Sequence, residues 1–462
     1  MVRRAGLSAS LIAAAASLLA ACSYDSPIDL FTDASGIDAS VFDAPNEVAS
    51  GESGADTTMP DGGGHDADAS LPDADAGVAD TSMRDVGPDT MSPDAGPDAP
   101  ADTSVPDAAP DTSVPDAAPD TSVPDAAPDV DAGPVVCTIV PFTNGVSTLA
   151  GCEAADVVDG NRDVARFADP VNVALGPDGD VYVADFDNNR IRVVTASGTT
   201  RTLVDQHGFT RPFGMTFAPD GTFYVETDDN DISQRSLTTG TVWRVDRVSG
   251  LATVLTRNIG RPRGMLVLPS PDGRIVVSDP IHHVVSFVDP VSGAVTPLAG
   301  GADQAGWVDA NGVAARFSNP YGIALLPDGR IAVADLGNHR IRAVALDGTV
   351  TTLAGTGVAG ANNGATATAT FSLPHDLAID SLGNIYVADS GNFVVRKIAG
   401  GQVSTVVGSG TGGWLDDDNL LTAKLYGLEG IEVSPNGTTL WIADGSRGTT
   451  APFNRVRVVK LP

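Results

Sequence analysis

From about residue 145 to the end of the chain, short β-branched and aromatic runs alternate with tight polar breaks. No stretch sustains a 3.6-residue apolar period. The runs recur in a fixed order. A first strand, a, follows a proline, as in NVAL, GMTF, GMLVL, GIALL and DLAI. Pro-Asp-Gly at 177–179, 219–221, 271–273 and 327–329 then supplies type I turn chemistry. Strand b is of the VYVAD, IVVSD, IAVAD, IYVAD or LWIAD kind, rich in β-branched and aromatic residues. Strand c reads RIRVV, VWRVD, VVSFV, RIRAV, VVRKI or RVRVV, and strand d reads TRTLV, ATVLT, AVTPLA, TVTTLA or QVSTVV. The pattern predicts an all-β chain built from four-stranded units.

Copies of the unit begin at Pro170, Pro212, Pro262, Pro320 and Pro374, with a degraded sixth at Leu428. Repeats at this spacing indicate a propeller or a solenoid. Six a–b–c sets lie between Val171 and Val459, but only five d strands follow them internally. The run Val146 to Gly151 precedes the first strand a and supplies the missing sixth. Pairing it with RVRVV closes the ring and leaves no open array edge. The expected fold is therefore a six-bladed β-propeller over residues 135–462, with an indispensable C-terminus.

Upstream the composition changes twice. Residues 1–22 carry Arg3 and Arg4, then an apolar stretch from Leu7 to Ala21, and read as an export signal. The stretch is shorter than the ~20 apolar residues a membrane-spanning helix needs. Leu19-Ala20-Ala21-Cys22 resembles a bacterial lipobox, which makes Cys22 the lipidated residue; an ordinary signal peptide before a chance cysteine is the alternative. Ser23 after the cysteine implies sorting to the outer membrane, by resemblance to the usual lipoprotein pattern. Residues 23–134 hold 26 acidic residues against Arg84 alone, and DTSVPDAAP runs three times from Asp102 to Pro128. Such a segment cannot bury enough apolar surface to offset ordering entropy, and it reads as a disordered, extended stalk. Most of the net charge of −32 belongs to it and says little about a ligand. With Cys22 lipidated, Cys137 and Cys152 remain as an even pair in an exported chain, which predicts a disulfide.

The lead-ins Asp159 to Asn172 and Asp309 to Gly322, and the Ala-Asp-x-x-Asn-x-Arg-Ile-Arg runs at 184–192 and 334–342, resemble the NHL-repeat family of six-bladed propellers. Blades 2 and 3 depart from that pattern: Thr227 replaces the terminal Asp, and Pro-Ile-His-His follows Asp279. The resemblance implies a surface binding module, an RNA-binding domain or a metal-dependent lyase, with lactonases on a related propeller. Fold alone does not choose among these.

The Pro-Asp-Gly and short c–d links make one face tight, so the long d–a loops (299–319, 408–427) and b–c loops (228–241, 445–454) mark the opposite, top face as functional. The residue after each repeat's first position rings the channel mouth: Val171, Phe213, Arg263, Tyr321, His375 and Glu429. Asn172 and Asp376 stand where four blades have glycine. Asn172, Arg263, Tyr321, His375, Asp376 and Glu429 form the candidate ligand site. Within it His375, Asp376 and Glu429 are the candidate donors for a calcium, zinc or manganese ion. A hydrated mouth whose polar groups satisfy one another is the competing expectation.

The Asp that ends strand b recurs in five blades, which argues for capping the b–c turn rather than catalysis. Arg190, Arg192, Arg340 and Arg342 are expected to cover blade surfaces with their stems. The glycine patterns at 355–360 and 408–413 open no helix, so they are loops rather than a dinucleotide site. Asp416-Asp417-Asp418-Asn419 lacks EF-hand spacing and reads as a solvated loop; His282 and His283 are expected at the surface. An acidic domain lacks the basic footprint of nucleic-acid binding. The sequence thus points to a monomeric envelope lipoprotein whose propeller binds a protein or glycan without catalysis. A metal-dependent hydrolase or lyase is the alternative.

Overall fold

The computed structural model describes residue 137, residue 139 and residues 144–152, 154–449 and 453–462. Cys22, the signal segment 1–22 and the acidic segment 23–134 lie outside the described residues. The described chain is a six-bladed β-propeller. Five antiparallel sheets have four strands each, and the fifth blade gains a two-residue strand, Gly364–Ala365, beside Gln402–Val407. In every blade strand a is innermost. The six inner strands are Pro170–Leu175, Pro212–Phe217, Gly264–Val267, Pro320–Leu325, Pro374–Ile379 and Leu428–Val433. In five of them the pairing with strand b slips just after the first residue. A bulge there re-aims side chains, and it falls where the sequence places the mouth ring.

Closure follows the strand count. Gly145–Ala150 pairs antiparallel with Arg455–Lys460, in register from Gly145↔Lys460 to Thr148↔Arg457 and shifted at Ala150↔Val456. The seam is tied again at the top. Asp169 accepts the backbone N–H groups of Ser446 (2.8 Å), Arg447 (2.9 Å) and Gly448 (3.0 Å), and its own N–H donates to Asn454 Oδ1 at 2.9 Å. Cys137 and Cys152 are joined across 15 residues, with Cα atoms 6.1 Å apart.

Between blades the core is aliphatic and aromatic: Tyr182, Phe213, Phe223 and Trp243 pack together between blades 1 and 2. Of the recurring arginines expected to cover blade surfaces, Arg190 and Arg340 stay partly exposed, but Arg192 and Arg342 do not lie at the surface. Arg192, Arg342, Arg396 and Arg457 are completely buried. Each donates through Nη1 to the Asp that ends strand b, at 2.7 Å to Asp185, Asp335 and Asp444 and 2.8 Å to Asp389. Nη2 reaches Asp159, Asp309, Asn363 or Asp416 in the long lead-in loop before strand a. Backbone carbonyls of the same lead-in, such as those of Val158 and Arg166, accept the remaining bonds.

The strand-b aspartates, in turn, accept backbone N–H groups mainly from the lead-in rather than from the b–c turn. Asp185 accepts the N–H of Ala168, Asp335 that of Ser318 and Asp389 that of Ser372. Among these, Asp279 accepts backbone N–H groups of the b–c turn, from Ile281 at 3.0 Å and His282 at 3.3 Å. Asp185, Asp335 and Asp389 hold that turn through the side-chain amides of Asn188, Asn338 and Asn392. Asp416 is likewise a structural partner of Arg457, not a solvated loop residue.

Candidate functional site

The six inner strands surround a central cavity of about 270 Å³. Residues of all six inner strands line it, mostly apolar in type, with Asn172, Thr216, Asp376 and Glu432 among them. Asp376 accepts the N–H of Ile431 from the next blade at 2.9 Å, and Asn172 Oδ1 accepts the N–H of Val173 at 2.7 Å. Burial raises Asp376 to about 7. Burial, with Asp376 adding to it, raises Glu432 to about 7.

Above the cavity the ring residues do meet. Phe213 packs edge-on to Tyr321 with ring centres 5.7 Å apart, and Tyr321 does the same to His375 at 4.8 Å. Arg263 lies over Phe213 at 4.4 Å and beside Tyr321 at 6.0 Å. Arg447, from the blade 6 b–c loop, donates through Nη2 to Ser390 O at 3.0 Å and sits beside Phe393 and Tyr426.

The chemistry of this mouth follows from dehydration. Burial, reinforced by Arg447 and Arg263, pulls His375 down to about 3, so its imidazole is neutral. Its Nδ1 lies 3.2 Å from Leu373 O, and a carbonyl only accepts. Nδ1 therefore carries the proton, and Nε2 is left as an acceptor. Burial, with Asp169 adding to it, pushes Glu429 up to about 8, which leaves its carboxyl largely protonated at neutral pH. Burial likewise pushes Tyr321 up to about 12. The mouth thus offers a carboxylic acid, a phenol, an imidazole acceptor and the guanidiniums of Arg263 and Arg447 against an aromatic arc. This is a hydrogen-bonding, ring-accepting surface.

His375, Asp376 and Glu429 do not combine as ion ligands. Asp376 is directed to the backbone of the next blade within the cavity, while His375 is tied to its own strand entry. Among the described residues no group of three His, Cys, Asp or Glu is arranged to hold a metal ion. His282 and His283 are structural as well: His282 Nδ1 meets Asp279 at 2.5 Å, and His283 Nδ1 accepts the N–H of Asn319 at 3.1 Å.

Sequence reasoning missed Glu226, Asp228, Arg261 and Arg447. Asp228 is fully buried and takes Arg261 Nη2 at 2.6 Å and Arg263 Nη1 at 2.5 Å. Burial opposes its charge, but Arg263 and Arg261 more than offset that and hold it far below the carboxylate range. Glu226 did leave a signal. It stands where the other blades place Ala184, Ser278, Ala334, Ala388 and Ala443, a small residue facing the neighbouring blade.

The NHL repeat family matches the chain at residues 167–194, 317–343 and 371–398, each beginning at the phenylalanine before strand a and ending with strand c. Among curated relatives, Protein SUPPRESSOR OF QUENCHING 1, chloroplastic, of Arabidopsis thaliana is 29% identical over 182 residues, covering 39% of this chain and 14% of that protein. NHL repeat-containing protein 2 of Homo sapiens is 35% identical over 126 residues, covering 25% of this chain and 17% of that protein. The chain therefore spans less than a fifth of the length of either. An auxiliary nutrient binding protein from Bacteroides thetaiotaomicron superposes with a TM-score of 0.54 at 18% identity, over 68% of this chain and 75% of that one. At that identity the likeness speaks for the fold.

Proposed function

Because the chain carries NHL repeats within a six-bladed β-propeller, we propose that it is a non-catalytic module that binds a protein or glycan at its top face. In this reading a lipid on Cys22 anchors it to the cell envelope, at the outer membrane, and segment 23–134 is the stalk. One observation carries the binding reading. Arg263, Tyr321, His375 and Glu429 come from four different blades, belong to no repeated scaffold motif, and meet in one dehydrated mouth. A packing role would be served by aliphatic residues. Local departures from scaffold consistency are expected where a protein does its work.

The test is capture by the full chain, in detergent, of purified envelope polysaccharides and of surface proteins from its own source. A Tyr321→Ala, Glu429→Gln variant is expected to lose at least tenfold in affinity. Asp328→Asn, in a bottom-face turn, is expected to bind as the parent does. Undiminished binding by the double variant removes the mouth from the reading. Separately, Cys22→Ser is expected to release the chain from the membrane fraction, and its retention there overturns the anchor.

A further inference from the structure

Resting on the mouth as a ligand site, we propose that the crest where blades 2 and 3 meet receives an oxyanion of the ligand, a carboxylate, sulfate or phosphate, through Arg211, Arg235, Arg261 and Arg263. The aromatic arc beside it takes the ligand's ring or chain.

Guanidinium groups crowd a single buried carboxylate here. Asp228 binds Arg261 and Arg263 directly, and Arg211 Nε lies 3.9 Å from the same carboxylate. Arg235, exposed on the blade 2 b–c loop, is a fourth. Burial, with Arg211 and Arg261 as cationic neighbours, lowers its affinity for its own proton. Glu226 bonds none of them. It is fully buried; Oε2 accepts the N–H of Gly214 at 3.2 Å, and Oε1 has no partner. Burial raises its pKa well above the ordinary value, which favours its neutral form. Asp187 and Asp229 flank the cluster, and Asp229 is bonded by Thr210 Oγ1 at 3.0 Å.

Two further observations bear on how an anion would meet the cluster, although the first is shared with the staple arginines. The buried Nε–H groups of Arg211 and Arg261 have no acceptor. Arg211 and Arg235 also keep area open to solvent, so an anion reaches them without opening the core. Guanidinium forks match carboxylate, sulfate and phosphate geometry. The run continues into aromatic rings. Arg211 lies 4.6 Å over Phe186, Phe186 and Phe213 are 6.0 Å apart, and Tyr321 and His375 extend the arc across the mouth.

The experiment is thermal unfolding of the full chain in sodium sulfate, phosphate or acetate, each against chloride at equal ionic strength. At least one oxyanion is expected to protect saturably at millimolar concentration, and the one that does identifies the group. Because sulfate and phosphate also stabilise proteins nonspecifically, the variants decide. Arg235→Gln, on an exposed side chain, and Arg211→Gln are each expected to raise the half-protecting concentration at least tenfold. Protection equal in parent and variants, or none beyond chloride, overturns the oxyanion site. If macromolecular capture by the Tyr321 test survives that result, the mouth reading stands without it. If capture fails as well, both fall.

Discussion

Blades 1, 4, 5 and 6 and blades 2 and 3 fold the same four strands but fasten them differently. The first group carries lead-ins of about twenty residues before strand a, and each lead-in is stapled by a buried arginine and the Asp of strand b. In blades 2 and 3 the chain passes from strand d to strand a within a few residues, at 205–211 and 258–263. There is no lead-in to hold, and the arginine is gone. Trp243 takes its place in blade 2 and donates to Thr227 Oγ1 at 2.8 Å. Ser286 takes it in blade 3, where Asp279 turns to His282. The exceptions in the repeat are thus linked substitutions with one cause. Where the lead-ins are missing, the top face is left to the b–c loop of blade 2 and to the arginine crest.

The largest test of the ring common to both groups is removal of residues 455–462. That deletes the strand on which both Gly145–Ala150 and Thr439–Asp444 pair. No cooperative thermal transition is expected by circular dichroism; a native-like transition would mean that the ring does not need its seam.

Next comes the staple itself. Arg396→Ala leaves Asp389 buried without its cation, and breaking such a pair is expected to cost about 3–5 kcal/mol in urea unfolding. Trp243→Phe, the matching change in blade 2, removes one neutral hydrogen bond and is expected to cost about 1–3 kcal/mol. Equal losses would erase the distinction between the two kinds of blade.

The smallest effect is one of pH, at the mouth the blades share. Glu429, raised to about 8, and Asp376 and Glu432, raised to about 7, hold protons in the folded state that the unfolded chain has released. Their contribution is lost as pH rises through those values. His375, lowered to about 3, acts oppositely, but only below its ordinary value of 6.5. Stability is therefore expected to fall between pH 6.5 and 8 in the parent and to fall less in Glu429→Gln. An unchanged slope would place Glu429 in a more hydrated setting.

The strand order, the six-fold count and the borrowed strand at Val146 were all legible, because β alternation and turn chemistry are local signals. The mouth ring was legible for the same reason: Arg263, Tyr321, His375 and Glu429 share one register position. The staple was not. Arg342 and Asp335 look like alternating surface residues of a strand, and only a lead-in folded across them from residues 306–318 makes that position interior. Asp228 and Arg261 were also hidden, since 33 residues separate them and neither occupies a repeated position.

By itself, then, the sequence determined a closed six-bladed ring, its polarity and the residues that reach its mouth, because each depends on periodicity along one blade. The tertiary structure alone decided which charges are buried, which arginines staple and which crowd a single carboxylate. Those outcomes depend on neighbours brought in from other blades and lead-ins, and on the water they exclude.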